Sequence, residues 1–211
     1  MSGLNIPYFD GSVSWHYHLF AGLSEYYESK NIEVRKILEI GTHNGKFANY
    51  LSCLFCNAEI YTIDLSQDDQ KFKETYNRHE EEKRELFLAE RKRNIDRNNI
   101  NFIELNSIQI FRYFKEMKFD IVWIDGDHHN PQVTIDIINA LNLVGDAGVI
   151  CVDDVVMDDE YERTEYVSNE SYQTLKSLEI NGLINNYFLV KRIRSSNARC
   201  QKYISLSMKI G

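Results

Sequence analysis

Two short segments carry the residues best suited to chemistry, FDIVWIDGDHHNP at positions 119–131 and GVICVDDV at 148–155. Each is an apolar run that ends in acid, with Asp125 closing the first and Asp153 and Asp154 closing the second. In an open α/β sheet the carboxyl ends of the strands face one crevice, especially where the strand order reverses, so acids distant in sequence can meet there. Three carboxylates brought together repel unless protonation, hydrogen bonding or a cation offsets the cost. A hard divalent cation, most simply magnesium, is the direct compensation, and it leaves coordination positions for substrate oxygens; manganese and calcium stay open. Asp125, Asp153 and Asp154 are therefore the expected metal ligands, with caps, turns and solvent-facing acids as the bland alternative. His128 lies three positions after Asp125 and has the near-neutral pKa suited to taking a proton from a hydroxyl. His129 competes with it as base, and a simple loop hydrogen bond competes with both. Asp127 is a weaker ligand candidate, expected to orient the loop.

A second constellation precedes these. The run KILEIGTHNGKFANYL at 36–51 gives a hydrophobic strand, a glycine-bearing turn and a helix in that order. Gly41 can relieve Cβ crowding where backbone approaches a ligand, and Gly45 can permit close helix packing or a special backbone angle. Asp64 stands 23 positions beyond Gly41, directly after the strand-like EIYTI. A carboxylate at that strand end can accept from two ribose hydroxyls, which points to an adenosine-containing cofactor. Nicotinamide dinucleotides use the same architecture but want G-x-G-x-x-G, where this chain reads GTHNG.

With these residues in view, the chain resembles the class I methyltransferases that use S-adenosylmethionine, from Glu39-Ile40-Gly41-Thr42-His43-Asn44-Gly45 through Asp64 to Asp153-Asp154. The resemblance implies that Gly41, Thr42 and Gly45 form the cofactor turn, that Glu39 lies beneath it, and that Asp64 binds ribose. Leu65 would line the adenine side, with Ser107 a further cofactor contact and Asp125 bordering the same site. Metal-dependent small-molecule O-methyltransferases carry an Asp after the fourth strand and an acidic pair, or Asp-Asn, after the fifth. Asp125, Asp153 and Asp154 match that pattern. The IDGDH run, Pro131 and the DD pair resemble most closely the branch acting on sugars in antibiotic or polysaccharide pathways. By resemblance His128 sits at the base position, where catechol-type relatives carry lysine. The implied reaction is methyl transfer to a small-molecule hydroxyl with divalent-metal assistance and Asp125 and His128 as the catalytic groups.

The elements that must position these groups follow from pattern. Strands are expected at Val34 to Ile40, Glu59 to Ile63, Ile100 to Glu104, Phe119 to Ile124 and Gly148 to Val152, each rich in β-branched or aromatic residues. Helices are expected over Lys46 to Cys56, Asp68 to Asn98, Gln132 to Leu143 and Ser171 to Ile180. The long charged segment 68–98 reads as a solvated helical face that could also serve as a lid or oligomer surface. Two closing strands, Asn186 to Ile193 and Tyr203 to Ile210, are separated by RSSNARC and suggest an antiparallel edge. The expected fold is α/β, a doubly wound, seven-stranded, mostly parallel Rossmann-like sheet. It forms a single domain over 1–211, with 1–33 as an aromatic-rich helical cap. That cap and the loop from Asp154 to Tyr172 are the expected walls of the acceptor pocket.

The chain has 211 residues, 43% of them apolar, and 24 basic against 32 acidic side chains, for a net charge of -8. This composition supports a buried core and disfavours nucleic acid or an anionic membrane surface as partner. No run approaches the roughly 20 apolar residues of a bilayer span, and a cytoplasmic enzyme is expected, with homo-oligomer formation left open. Cys53 and Cys56 lack a second pair to complete a zinc site and are expected to be buried, reduced packing residues. The competing classes are a metal-independent small-molecule methyltransferase and a non-catalytic regulatory protein that only binds cofactor.

Overall fold

The period-two alternation of the apolar runs decides which residues face which layer. In strand β1 (Lys36–Ile40) and strand β4 (Phe119–Ile124), Ile37, Ile121 and Trp123 face one side of a sheet while Leu38, Ile40, Val122 and Ile124 face the other. Buried on both faces, such strands must be covered by helices twice over. The first face packs against α1 (His16–Ser29) and α2 (Lys46–Leu54) through Phe20, Phe47 and Leu51. The second packs against α5 (Ile110–Phe114), α6 (Gln132–Leu143) and α7 (Glu170–Ile180) through Ile110, Ile137 and Leu175. These relations come from a computed structural model that describes residues 14–158, 163–164, 167–192 and 201–210.

With β2 (Glu59–Asp64), β3 (Ile100–Glu104), β5 (Val144–Val155), β6 (Ile184–Arg192) and β7 (Lys202–Lys209), the sheet has seven strands in the order β3-β2-β1-β4-β5-β7-β6. The first five are mutually parallel; β7 runs antiparallel to both β5 and β6. The architecture is the mostly parallel, Rossmann-like α/β sheet with an antiparallel edge that the strand pattern predicts. Its order reverses between β1 and β4, which places the turns after Ile40 and Ile124 side by side.

Several expectations are corrected. The single helix over 68–98 is instead α3 (Gln70–Glu74), a short 3-10 turn at Thr75–Asn77 and α4 (Glu81–Asn94). Thr, Tyr and Asn are indifferent helix formers, and Tyr76 takes a left-handed φ of 56° there. The break lets Arg78 turn inward, its guanidinium 4.0 Å from the centre of the Phe72 ring. Strand β5 extends beyond Gly148–Val152 at both ends and carries Asp153 and Asp154 within its last turn of pleat rather than after it. The short helix α5 had no clear periodic signal. Helix α2 stops at Leu54, and Cys53 and Cys56 are exposed free thiols rather than packing residues; Cys151 is the buried one. Residues 1–13 of the expected cap and the RSSNARC link with Cys200 lie outside the described residues, as does part of the expected wall between Asp154 and Tyr172.

Candidate functional site

The turn after β1 is shaped by its contact with the turn after β4. Gly41 has φ +102°, and a Cβ there would lie 2.3 Å from the carbonyl oxygen of Asp125. The Asp125 N–H in turn donates to the Ile40 carbonyl at 2.9 Å. Gly41 is therefore required both by a left-handed backbone and by the close passage of Asp125. Gly45 has φ +75° and faces the end of α4, where an added Cβ would meet Ile95 Cγ2 at 2.7 Å.

Asp64, at the end of β2, is held by backbone. The His43 N–H donates to Oδ2 at 2.9 Å and the Leu65 N–H to Oδ1 at 2.8 Å. Arg91, only 4% exposed, stands behind Oδ2 at 3.8 Å. Burial raises the Asp64 pKa, while Arg91 and the two N–H groups oppose the rise. Beneath the turn, Glu39 is buried and receives a 2.5 Å hydrogen bond from the Thr62 hydroxyl, which lies 2.6 Å from that of Thr42. Burial pushes Glu39 up to about 8, so it is protonated at neutral pH. Thr42 thus positions Glu39 through Thr62.

These groups border a cavity of about 610 Å³, within the range of small-molecule and cofactor sites. Leu65 and Leu105 give it apolar walls near Asp64, and Asn106 and Ser107 a polar one. Ser107 Oγ accepts from Gln132 Nε2 at 2.5 Å, and Gln132 also donates to Asp136. A carboxylate with spare acceptor capacity beside apolar walls suits an adenosine-bearing cofactor. Glu39, Gly41, Thr42, Asp64, Leu65, Ser107 and Asp125 all line this one cavity, whereas Gly45 supports it from behind.

At the other end, Asp125, Asp153 and Asp154 come together as the strand ends require, and two lysines come with them. Lys191 Nζ donates to Asp153 Oδ2 at 2.5 Å and to Asp154 Oδ1 at 2.6 Å, and Lys202 Nζ donates to Asp154 Oδ2 at 2.5 Å. Asp154 has a left-handed φ of 50°, an uncommon conformation for a non-glycine that turns its carboxylate out of the pleat. Although burial opposes ionisation, Lys191 and Lys202 hold Asp154 below the usual carboxylate range. Burial lifts Asp153 to about 6 against the pull of Lys191. Asp125, whose side chain keeps 36% of its surface open toward the cavity, is raised well above its ordinary value by desolvation and then by the charge of Asp153. Among the described residues, no cluster of three His, Cys, Asp or Glu is arranged to hold a metal ion. The expected divalent site does not fit this arrangement, because ammonium groups already occupy Asp153 Oδ2 and both oxygens of Asp154.

The two candidate bases separate cleanly. His129 has both ring nitrogens engaged, Nδ1 with Asp127 at 3.2 Å and Nε2 with the Thr164 carbonyl at 2.9 Å. Asp127 is also paired with Lys71, so it orients the loop. His128 instead faces Asp125, Nε2 to Oδ1 3.8 Å, while its buried Nδ1 has no partner among the described residues. Burial lowers it to about 4, leaving a neutral imidazole at pH 7. A third histidine escaped sequence reasoning as a candidate for chemistry: His16 on α1 lies 3.9 Å from Asp153 and stacks on Tyr17, with burial lowering it to about 3. Lys191, Lys202 and Arg91 were likewise missed. The one available signal was a lysine near the open end of each of the two closing strands.

A family model for the Methyltransferase domain matches residues 38–155, more than half of the chain. The chain belongs to the Methyltransferase domain family. Its fold is similar to that of cofactor-bound Rv0187 from MTB, with a TM-score of 0.64, 17% identity and coverage of 98% of this chain and 84% of that one. The O-methyltransferase TomG from Streptomyces achromogenes, involved in tomaymycin synthesis and in complex with SAM, gives a TM-score of 0.61 at 18% identity over 93% of this chain and 80% of that one. The O-methyltransferase from Bacillus cereus in complex with SAH gives 0.59 at 18% identity, covering 92% and 81%. No curated protein sequence matches the chain. The stretch matched to the methyltransferase family holds the Gly41–Gly45 turn, Asp64 and the three acids, but it excludes His16, Lys191 and Lys202. Among the described residues, no helix is long and apolar enough to cross a membrane.

Proposed function

We propose that this methyltransferase-family chain transfers the methyl group of S-adenosylmethionine to a hydroxyl of a small molecule, specifically a sugar of a polysaccharide or natural product. The observation that carries the reading is a single cavity bordered at one end by the Asp64 carboxylate and at the other by Asp125 and His128. Bound there, the cofactor supplies an electrophilic methyl on a sulfonium, and the acceptor oxygen forms the new C–O bond as the C–S electron pair leaves with S-adenosylhomocysteine. His128 accepts the hydroxyl proton, with Asp125 3.8 Å from its Nε2 at the same end of the cavity. Asp64 binds ribose, Leu65 and Ser107 border adenine, and Glu39 with Thr42 fixes the floor under the amino-acid end. Divalent-cation assistance would require both lysines to leave oxygens they hold at 2.5 to 2.6 Å, so in this reading the proton moves through the chain's own side chains. Asp125, open to the cavity, favours a polyhydroxylated acceptor because a carboxylate accepts from vicinal hydroxyls. In the same reading 1–211 acts as one cytoplasmic domain with 1–33 as its cap.

The test is incubation with methyl-labelled S-adenosylmethionine and a panel of free and nucleotide-activated sugars, with label expected on a sugar oxygen. His128→Asn is expected to lower kcat by about 10²- to 10⁴-fold while calorimetric affinity for S-adenosylhomocysteine stays the same. Binding of the cofactor with no transfer to any hydroxyl acceptor would leave a regulatory cofactor-binding protein in its place.

A further inference from the structure

Two irregularities in the closing strands face each other across the acidic cluster. In the pairing of β5 with β7, Val152 is opposite Ser205 and Val155 opposite Tyr203, so β5 carries one extra residue at Asp153–Asp154. In the pairing of β6 with β7, Val190 is opposite Tyr203 and Arg192 opposite Lys202, so β6 carries one extra residue at Lys191. A β-bulge re-aims the side chain it carries, and bulges recur beside active sites for that reason. Here one bulge turns the acids and the other turns Lys191 toward the same point, and the first residue of β7, Lys202, joins them.

That point opens onto a second cavity, of about 310 Å³, lined by Ser14, His16, Asp125, Asp153, Asp154 and the two lysines. It shares His16, Asp125 and Asp154 with the larger cavity. Asp153 is 2% exposed, and its Oδ1 has no partner among the described residues while Oδ2 is held by Lys191. One carboxylate oxygen is thus fixed by the lysine, and the other is buried beside the cavity with no hydrogen-bond partner among the described residues.

We propose that Lys191, with Lys202, is the resident cation of this centre, standing between Asp153 and Asp154 where a divalent metal would otherwise be needed, so that methyl transfer proceeds without added metal. Lys191 is a positioning residue: it balances the acids' charge and fixes Asp153 and Asp154 at the edge of the smaller cavity. The activity part rests on the proposed methyl transfer, whereas the cation part is measurable without any acceptor.

The experiment titrates Mn²⁺ into chelator-treated protein saturated with S-adenosylhomocysteine and follows free Mn²⁺ by electron paramagnetic resonance. Wild type is expected to take up no Mn²⁺ at sub-millimolar concentration. The Lys191→Ala, Lys202→Ala double variant, with its carboxylates uncovered, is expected to bind one ion at least about tenfold more tightly than wild type. Lys191→Arg keeps the charge and is expected to exclude the ion as wild type does. Stoichiometric Mn²⁺ binding by wild type, abolished by Asp154→Asn, would overturn the proposal, as would a folded double variant with no gain. If the double variant fails to bind S-adenosylhomocysteine, the wild-type titration alone decides. Should an acceptor be found, wild-type turnover is expected to survive the chelator, and its loss with restoration by Mn²⁺ would also overturn the assignment; failure to find any acceptor bears only on the methyl-transfer reading.

Discussion

The two acidic ends of the cavity are built by different means. Asp64 takes its two closest hydrogen bonds from the N–H groups of His43 and Leu65, the second of them its own neighbour in sequence. Asp153 and Asp154 are held by side chains 37 to 48 residues away, on the last two strands of the sheet, of which β7 runs against the parallel core. The first carboxylate is fixed by backbone geometry that any chain with this turn reproduces. The second group is fixed by charges whose presence depends on particular lysines. A site of the first kind keeps its shape when surface charges change, and a site of the second kind can change its chemistry by a single substitution.

The widest break in that comparison comes from Gly41, because it joins the two ends. Gly41→Ala forces a Cβ against the Asp125 carbonyl in a backbone conformation that alanine resists, and is expected to cost about 3 kcal/mol or more of stability. Thermal unfolding checks this, and a variant melting within a degree of wild type would refute the close approach. Asp64→Asn is gentler, since it spares the fold but sets an amide donor against two backbone donors. A loss of about 2 kcal/mol in cofactor affinity is expected, read by calorimetry with S-adenosylhomocysteine, while Mn²⁺ exclusion at the acidic cluster stays unchanged. A threefold effect or less would mean that Asp64 does not hold the ribose.

The smallest effect sharpens what lies between the two ends. Glu39 titrates near 8 in the folded protein against about 4.5 unfolded, so the folded state binds more protons over that interval. Its contribution to stability is fully present below pH 4.5 and is lost as pH rises through about 8. Glu39→Gln, neutral throughout, should therefore gain on wild type by about 1.4 kcal/mol between about pH 6 and 7 in the cofactor-free protein, and the gain should level off above about pH 8. A constant difference in melting temperature from pH 5 to 9 would show that Glu39 is ionised in place.

The parallel half of the fold was legible because its strands are short apolar runs separated by glycine turns and amphipathic helices, and such patterns depend on neighbours in sequence. The 68–98 segment misled for the same reason. Its charge pattern is continuous, but the chain breaks at Thr75–Asn77 and sets Arg78 over Phe72, a contact that only the packed chain offers. Cys53 and Cys56 failed likewise: their apolar neighbours Leu51 and Phe55 take the buried face and leave both thiols outside.

Within the candidate site, the residue types and spacings of Gly41, Asp64, Asp125 and the Asp153–Asp154 pair already determined that a ligand turn and three acids would share one edge, because parallel strands carry their ends there. What balances those acids was decided by tertiary structure alone. Two bulges and an antiparallel strand bring Lys191 and Lys202 onto the carboxylates, and no local pattern encodes an ion pair between strands so far apart in the chain. Electrostatic pairing acts through space, so its partners are named only once the sheet has closed.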